Sequence, residues 1–272
     1  MTAIQNQSGT HGPRDWVTPN WVTPVRWALA ALAATMMLAA LAGAAAGQSL
    51  AVQPVSLPFA PGQRATTLTV TNHGTNETAI QIRVYAWSQE QGEDTLTPSD
   101  AVIASPPLAT IPAGGSQLVR LVLRQPPDGR EFTYRILLDE IPPPALAGVV
   151  RIVLRMSIPI FAEPKIPVAP RVQFHIEKQG EQLLLVGVNS GIRHETFREV
   201  VLATEQGVTL KPAKGWSPYL LAGATRRWVM VPTGSASAAT LSSTSTGGER
   251  FRLTARGDGG VIDQQVSRAG SP

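Results

Sequence analysis

The sequence predicts an all-β protein: an immunoglobulin-like β-sandwich followed by a second, smaller β-domain. Three observations carry this. Gly (24) and Pro (23) recur along a chain of 272 residues and break it into short segments. Between the breaks, apolar and polar residues alternate with the period of a half-buried strand. Ala/Leu/Glu/Lys patterns of helical period are missing beyond the N-terminus.

The first 46 residues are of another kind. A polar stretch with Arg14 and Arg26 precedes WALAALAATMMLAALAGAAA (27–46), an Ala-rich apolar run that ends in small residues. Basic flank, apolar run and small-residue end read as a secretory signal cut after Ala46. The rival reading is a retained membrane anchor, since ~20 apolar residues can cross a bilayer. Either reading places the rest of the chain outside the cytoplasm.

The strands follow in order. AVQPVSLPF (51–59) leads through the turn APGQ into ATTLTVTN (65–72), where Thr66, Leu68 and Val70 alternate with threonines. After HGTNET, the run AIQIRVYAWSQ (79–89) has Ile80, Ile82, Val84 and Ala86 on one face and Gln81, Arg83, Tyr85 and Trp87 on the other. AVIASPPLATIPAGG (101–115) is extended and broken by prolines. SQLVRLVLR (116–124) and FTYRILLDEIPPP (132–144) are two more strands, the second stopped by proline. VVRIVLRMSIPIF (149–161) closes the set, with Val150, Ile152, Leu154, Met156, Ile158 and Ile160 on one continuous apolar face. About seven strands in roughly 110 residues fit an immunoglobulin-like sandwich. The Pro-rich AEPKIPVAP (162–170) reads as a stiff hinge, and further strands from Arg171 onward form the second domain. The expected division is therefore 1–46 leader, 47–163 first domain and 164–272 second domain.

Composition removes several functions. With no cysteine there is no disulfide framework and no thiol chemistry. The leader holds Arg14, Arg26 and Asp15, so its removal lowers the net charge of +4 by one. All four lysines (Lys165, Lys178, Lys211, Lys214) lie in the C-terminal half with no aromatic stripe among them, which argues against nucleic acid as a partner. His11, His73, His175 and His194 show neither HxH nor HExxH spacing, so no metal site is expected. There is no GxSxG elbow and no phosphate-binding Gly-rich loop, so neither an enzyme, a cofactor nor a small-molecule substrate is expected. Arg120 and Glu140 read, from spacing alone, as two solvated charges, with an ion pair at the domain junction as the alternative.

Several of these pieces occur together in one family. VTN (70–72), VYAWSQ (84–89), SPP (105–107) with IPAGGSQLVRL (111–121), LLDEIPPP (137–144) and the long alternating strand ending in IPIF resemble the periplasmic pilus-assembly chaperones of chaperone–usher pathways. The likeness runs over nearly all of residues 50–164, and VNSGIRHETF (188–197) resembles a turn in the second domain of archaic-type members. What the resemblance implies is two immunoglobulin-like β-sandwich domains in an L-shaped arrangement, without enzymatic activity. The implied partners are pilin-like subunits and an outer-membrane usher, and the implied location is the periplasm. The last strand of the first domain would be lent to a subunit by donor-strand complementation. By position the lent side chains would be Val150, Ile152 and Leu154, with Met156 and Ile158 extending the row. The family's two cations for the subunit's C-terminal carboxylate fall here on Ser56 and Pro159, leaving Arg83, Arg135, Arg151 and Arg155 as candidate anchors. Arg120 and Glu140 match the family's interdomain ion pair, with Asp258 as third member. The competing reading is a secreted structural or adhesive sandwich whose last strand only completes its own core.

Overall fold

The computed structural model describes residues 50–144, 148, 152–166, 168–233 and 250–268, and every regular element within them is a β-strand. The first body contains β1 (Leu50–Gln53), β2 (Leu57–Phe59), β3 (Ala65–Asn72), β4 (Thr78–Glu90), β5 (Glu93–Pro98), β6 (Val102–Ser105), β7 (Leu108–Ile111), β8 (Ser116–Leu123), β9 (Phe132–Ile141) and β10 (Arg155–Ala162). One sheet runs β1-β3-β8-β6 and the other β2-β10-β9-β4-β5, with β7 also on β4. The alternation foreseen for β3 and β4 fills, together with β8 and β9, the space between the sheets. Leu68, Val70, Ile80, Ile82, Leu121 and Ile136 point inward and are buried. Each such side chain contributes about 1.5–3 kcal/mol by leaving water.

Local chemistry sets the turns. In APGQ, Pro61 presets one turn position, Gly62 takes φ 78°, and Gln63 N–H donates to Ala60 O at 2.8 Å. Gln91 and Gly92, with φ of 53° and 89°, close the two-residue hairpin between β4 and β5.

The second body contains β11 (Val172–Gln179), β12 (Gln182–Asn189), β13 (Glu195–Thr196), β14 (Arg198–Thr204), β15 (Thr209–Pro212), β16 (Tyr219–Leu220), β17 (Thr225–Pro232), β18 (Arg250–Gly257) and β19 (Gly260–Ser267). One sheet runs β11-β12-β17-β15-β14-β18-β19, and a bridge from Ile176 to Arg268 joins its last strand back to its first. The two faces of this body are thus continuous, wrapped around Leu185, Phe197, Leu202, Trp228 and Leu253. Two side chains of the first body, Trp87 and Phe161, complete this second core.

Each body has a corner of the same build, a repetition that the sequence reading did not single out. Asn72 and Asn189 each end a strand, are fully buried, and precede a glycine by two residues. Gly74 N–H donates to Asn72 Oδ1 and Gly191 N–H to Asn189 Oδ1, both at 2.9 Å. Each Asn Nδ2 donates 2.8 Å to the carbonyl four residues on, Asn76 or Arg193. A repeated Asn-x-Gly after an apolar strand was the available signal.

Candidate functional site

β10 is covered unevenly. β2 pairs with it in parallel only at Ile160, Phe161 and Ala162, while β9 runs beside all of it from Arg155 to Ala162. Residues 155–159 therefore have β9 on one side and, among the described residues, no strand on the other. Pro159, which has no N–H to offer, stands where the cover ends. The strand is also shorter than its periodicity predicted. Residues 149–151 lie outside the described residues, and Ile152, Val153 and Leu154 are not in the regular ladder.

The apolar face divides along its length. Ile158, named above as extending the lent row, is 3 % exposed and lies with Ile160 in the first body's own core. The reason is the depth of the sandwich: the opposing sheet still covers the face there. Met156 and Leu154 are half-buried against that core, and Ile152 is 92 % exposed. Val150 lies outside the described residues.

The opposite face carries charge. Asp139 on β9 accepts from Arg83 on β4, at 2.5 Å, and from Arg155 on β10. Burial works to raise the Asp139 pKa, but the hydrogen bonds from Arg155 and Arg83 outweigh it and hold it below the usual aspartate value. A cleft of about 470 Å³ lies beside this bridge, lined by Gln81, Glu140, Pro142, Val153 and Leu154 among others. Arg151 lies outside the described residues.

Arg135 is placed differently from the other candidates. On β9 it is in register with Pro159 of β10, and its side chain is 12 % exposed. Its guanidinium stacks 3.8 Å from the Trp87 ring centroid, reaches Ser157 Oγ at 3.2 Å, and lies 3.6 Å from Asp94. Ser56 immediately precedes β2, whose first residue, Leu57, pairs with Ile160. Ser56 lines a second cleft, of about 370 Å³, with Phe161, Glu163, Arg193, His194 and Asp258.

The expected ion pair is not formed. Arg120 is exposed on β8 in one sheet, Glu140 lies on β9 in the other, and no ion pair among the described residues involves Arg120. Glu140 accepts from Leu154 N–H at 3.2 Å, and Asp258 lies 3.2 Å from Arg198. Placing three charges together needs a register between distant strands, which spacing does not supply.

Other residues join the two bodies. Buried Glu131 accepts from the backbone N–H of His194 at 2.8 Å and meets its ring Nδ1 at 2.8 Å. The imidazole lies flat on Phe161, ring centroids 3.6 Å apart and 5° between planes. Gln89 bonds the backbone of Tyr219 and Leu221, and Arg226 pairs with Asp94 at 2.6 Å.

Asp94 makes this junction acid-sensitive. Its burial would raise the pKa, but hydrogen bonds from Arg226 and Gln89 hold it below the usual aspartate value. A depressed folded pKa gives stability that is present above the unfolded pKa and lost as pH falls through the folded one. Urea unfolding should therefore show the stability advantage over Asp94→Asn shrinking as pH drops below the ordinary aspartate range. A gap that stays constant down through that range would contradict this role.

Among the described residues no cluster of three or more His, Cys, Asp or Glu could hold a metal ion. Residues 49–167 match the model of the pili and flagellar-assembly chaperone family, PapD N-terminal domain. No curated protein matches the sequence. Among solved structures, a chain of the CsuC–CsuE chaperone–tip adhesion subunit pre-assembly complex from the archaic Csu pili of Acinetobacter baumannii is 21 % identical. That likeness covers 82 % of this chain and 100 % of the other, with a TM-score of 0.58. In the Salmonella enterica SafA pilin–SafB chaperone complex the identity is 15 %, the coverage 80 % and 94 %, and the TM-score 0.52. The Pseudomonas aeruginosa CupB2 chaperone is 16 % identical, with coverage of 80 % and 100 % and a TM-score of 0.51. The two-domain all-β fold is that of these proteins, and residues 49–167, somewhat under half of the chain, are similar to the N-terminal domain of the pili and flagellar-assembly chaperones.

Proposed function

We propose that the protein is a periplasmic chaperone of the archaic type that captures pilin-like subunits by lending the start of β10, and passes them to an outer-membrane usher. Residues 47–163 and 164–272 are its two domains behind an export leader, residues 1–46. The observation that carries this reading is the open edge at 155–159, continued by Ile152 with 92 % of its surface exposed. An uncovered strand edge pairs readily with another chain, and such edges are normally blunted by charge or cover.

Energetics assign a role to each part of the strand. Ile152, Leu154 and Met156 would yield at most about 1.5–3 kcal/mol each on burial, and two of them are already half-buried. Association costs about 4–15 kcal/mol. Side chains alone therefore give weak binding, and main-chain pairing along 155–159 supplies much of the rest. Arg135 is the anchor for a subunit's terminal carboxylate, because register sets it across from Pro159, beside Ser157 and one strand from Ser56. Arg83 and Arg155 share Asp139 farther along the same face.

The test is periplasmic co-expression with a pilin-like subunit, the first choice being any small secreted β-rich protein found encoded next to this gene. A soluble one-to-one complex is expected from the periplasmic extract, with the subunit degraded or aggregated when expressed alone. Recovery of both as separate soluble monomers would point instead to a structural or adhesive sandwich.

A further inference from the structure

The segment that enters β10 is held by side chains at the point where its ladder gives out. Glu140 N–H donates to Leu154 O at 3.0 Å, as in an ordinary antiparallel pair. The reciprocal donor, Leu154 N–H, goes to the carboxylate Oε2 of Glu140 at 3.2 Å. One residue on, Arg155 Nε donates to Asp139, whose other oxygen accepts from Arg83 NH2 at 2.5 Å. Asp139 and Glu140 are consecutive on β9, so their side chains leave the strand in opposite directions and take the segment from two sides. Just beyond them, Ile152 and Val153 are exposed.

We propose that Asp139 and Glu140 are positioning residues: together they clasp residues 154–155 and carry the register that β9 imposes on β10 past the end of the ladder, toward Ile152, before any partner arrives. Among the described residues no other group on the β9 side holds Leu154 N–H or the Arg155 side chain. A one-residue slip would send Ile152 and Leu154 to the wrong face. A preset register removes ordering that binding would otherwise have to supply. The link to capture rests on the chaperone reading; the clasp itself does not.

The experiment is hydrogen exchange on the full free chain, comparing wild type with Asp139→Asn/Glu140→Ala and with Glu140→Ala alone. Expected in the double variant is exchange at least tenfold faster at Leu154 and Met156, whose N–H groups face β9, with amides 184–188 of β12 unchanged. Glu140→Ala alone should accelerate Leu154 by a smaller factor. Unchanged exchange at Leu154 and Met156, or an acceleration equally large at 184–188, would overturn the clasp. With the co-expressed subunit as probe, the double variant should associate at least fivefold more slowly while the formed complex dissociates within twofold of wild type. Equal association rates would overturn the role in capture. If wild type captures no subunit, the chaperone reading fails and the exchange arm still decides the clasp.

Discussion

Phe161→Ala is expected to destabilise the protein by about 3–5 kcal/mol, the range for truncating a buried aromatic. Phe161 lies on β10, the last strand of the first body, yet it packs into the core of the second. It stacks on His194 and meets Trp87 and Tyr219 at ring-centroid distances of 5.9 and 5.8 Å. Neighbours from two bodies cannot collapse into the vacated space without shifting the junction, which places the cost toward the upper end. The imidazole of His194 would lose its stacking partner while remaining tied to Glu131. Urea unfolding of Phe161→Ala beside Ile152→Ala gives the contrast, because Ile152 is 92 % exposed and its truncation should change stability by less than about 0.5 kcal/mol. A Phe161→Ala loss below about 1 kcal/mol would mean that the junction is not packed as described.

The strands were legible where a period of two meets a continuous core. Leu68 and Val70, and Ile80 and Ile82, could be assigned inward from alternation, and all are buried. The same alternation could not divide β10. Ile152 and Ile158 are identical residues on one face, yet their exposures are 92 % and 3 %. The difference comes from where the opposing sheet and β2 stop, which is a property of other strands. The junction was opaque for a related reason. Glu131 and His194 are 63 residues apart and carry no motif spacing, so the histidine looked like one more turn residue. Arg120 and Glu140 looked like partners because they matched a family pattern, while the paired charges turned out to be Asp94 with Arg226 and Arg135. Arg135 itself was a legible candidate; only register showed that it lies across from Pro159.

Ile152→Asp is expected to abolish capture while leaving the fold intact. The side chain is exposed in the free protein, so a carboxylate there stays hydrated and costs little. In the proposed complex the same position enters an apolar groove. The variant loses about 1.5–3 kcal/mol of apolar burial and must also desolvate a charge, which costs more still. At about 1.4 kcal/mol per factor of ten, affinity should fall at least 100-fold. Leu118→Asp is the matched control, since Leu118 is 57 % exposed on β8 of the other sheet and should leave capture unchanged.

Because the chain contains no cysteine, a single thiol can be introduced at either position and armed with a short photo-crosslinker. Irradiating the co-expressed complex reads directly which surface meets the subunit. The account predicts efficient crosslinking from Ile152→Cys and none from Leu118→Cys; crosslinking from Leu118→Cys with none from Ile152→Cys would contradict it.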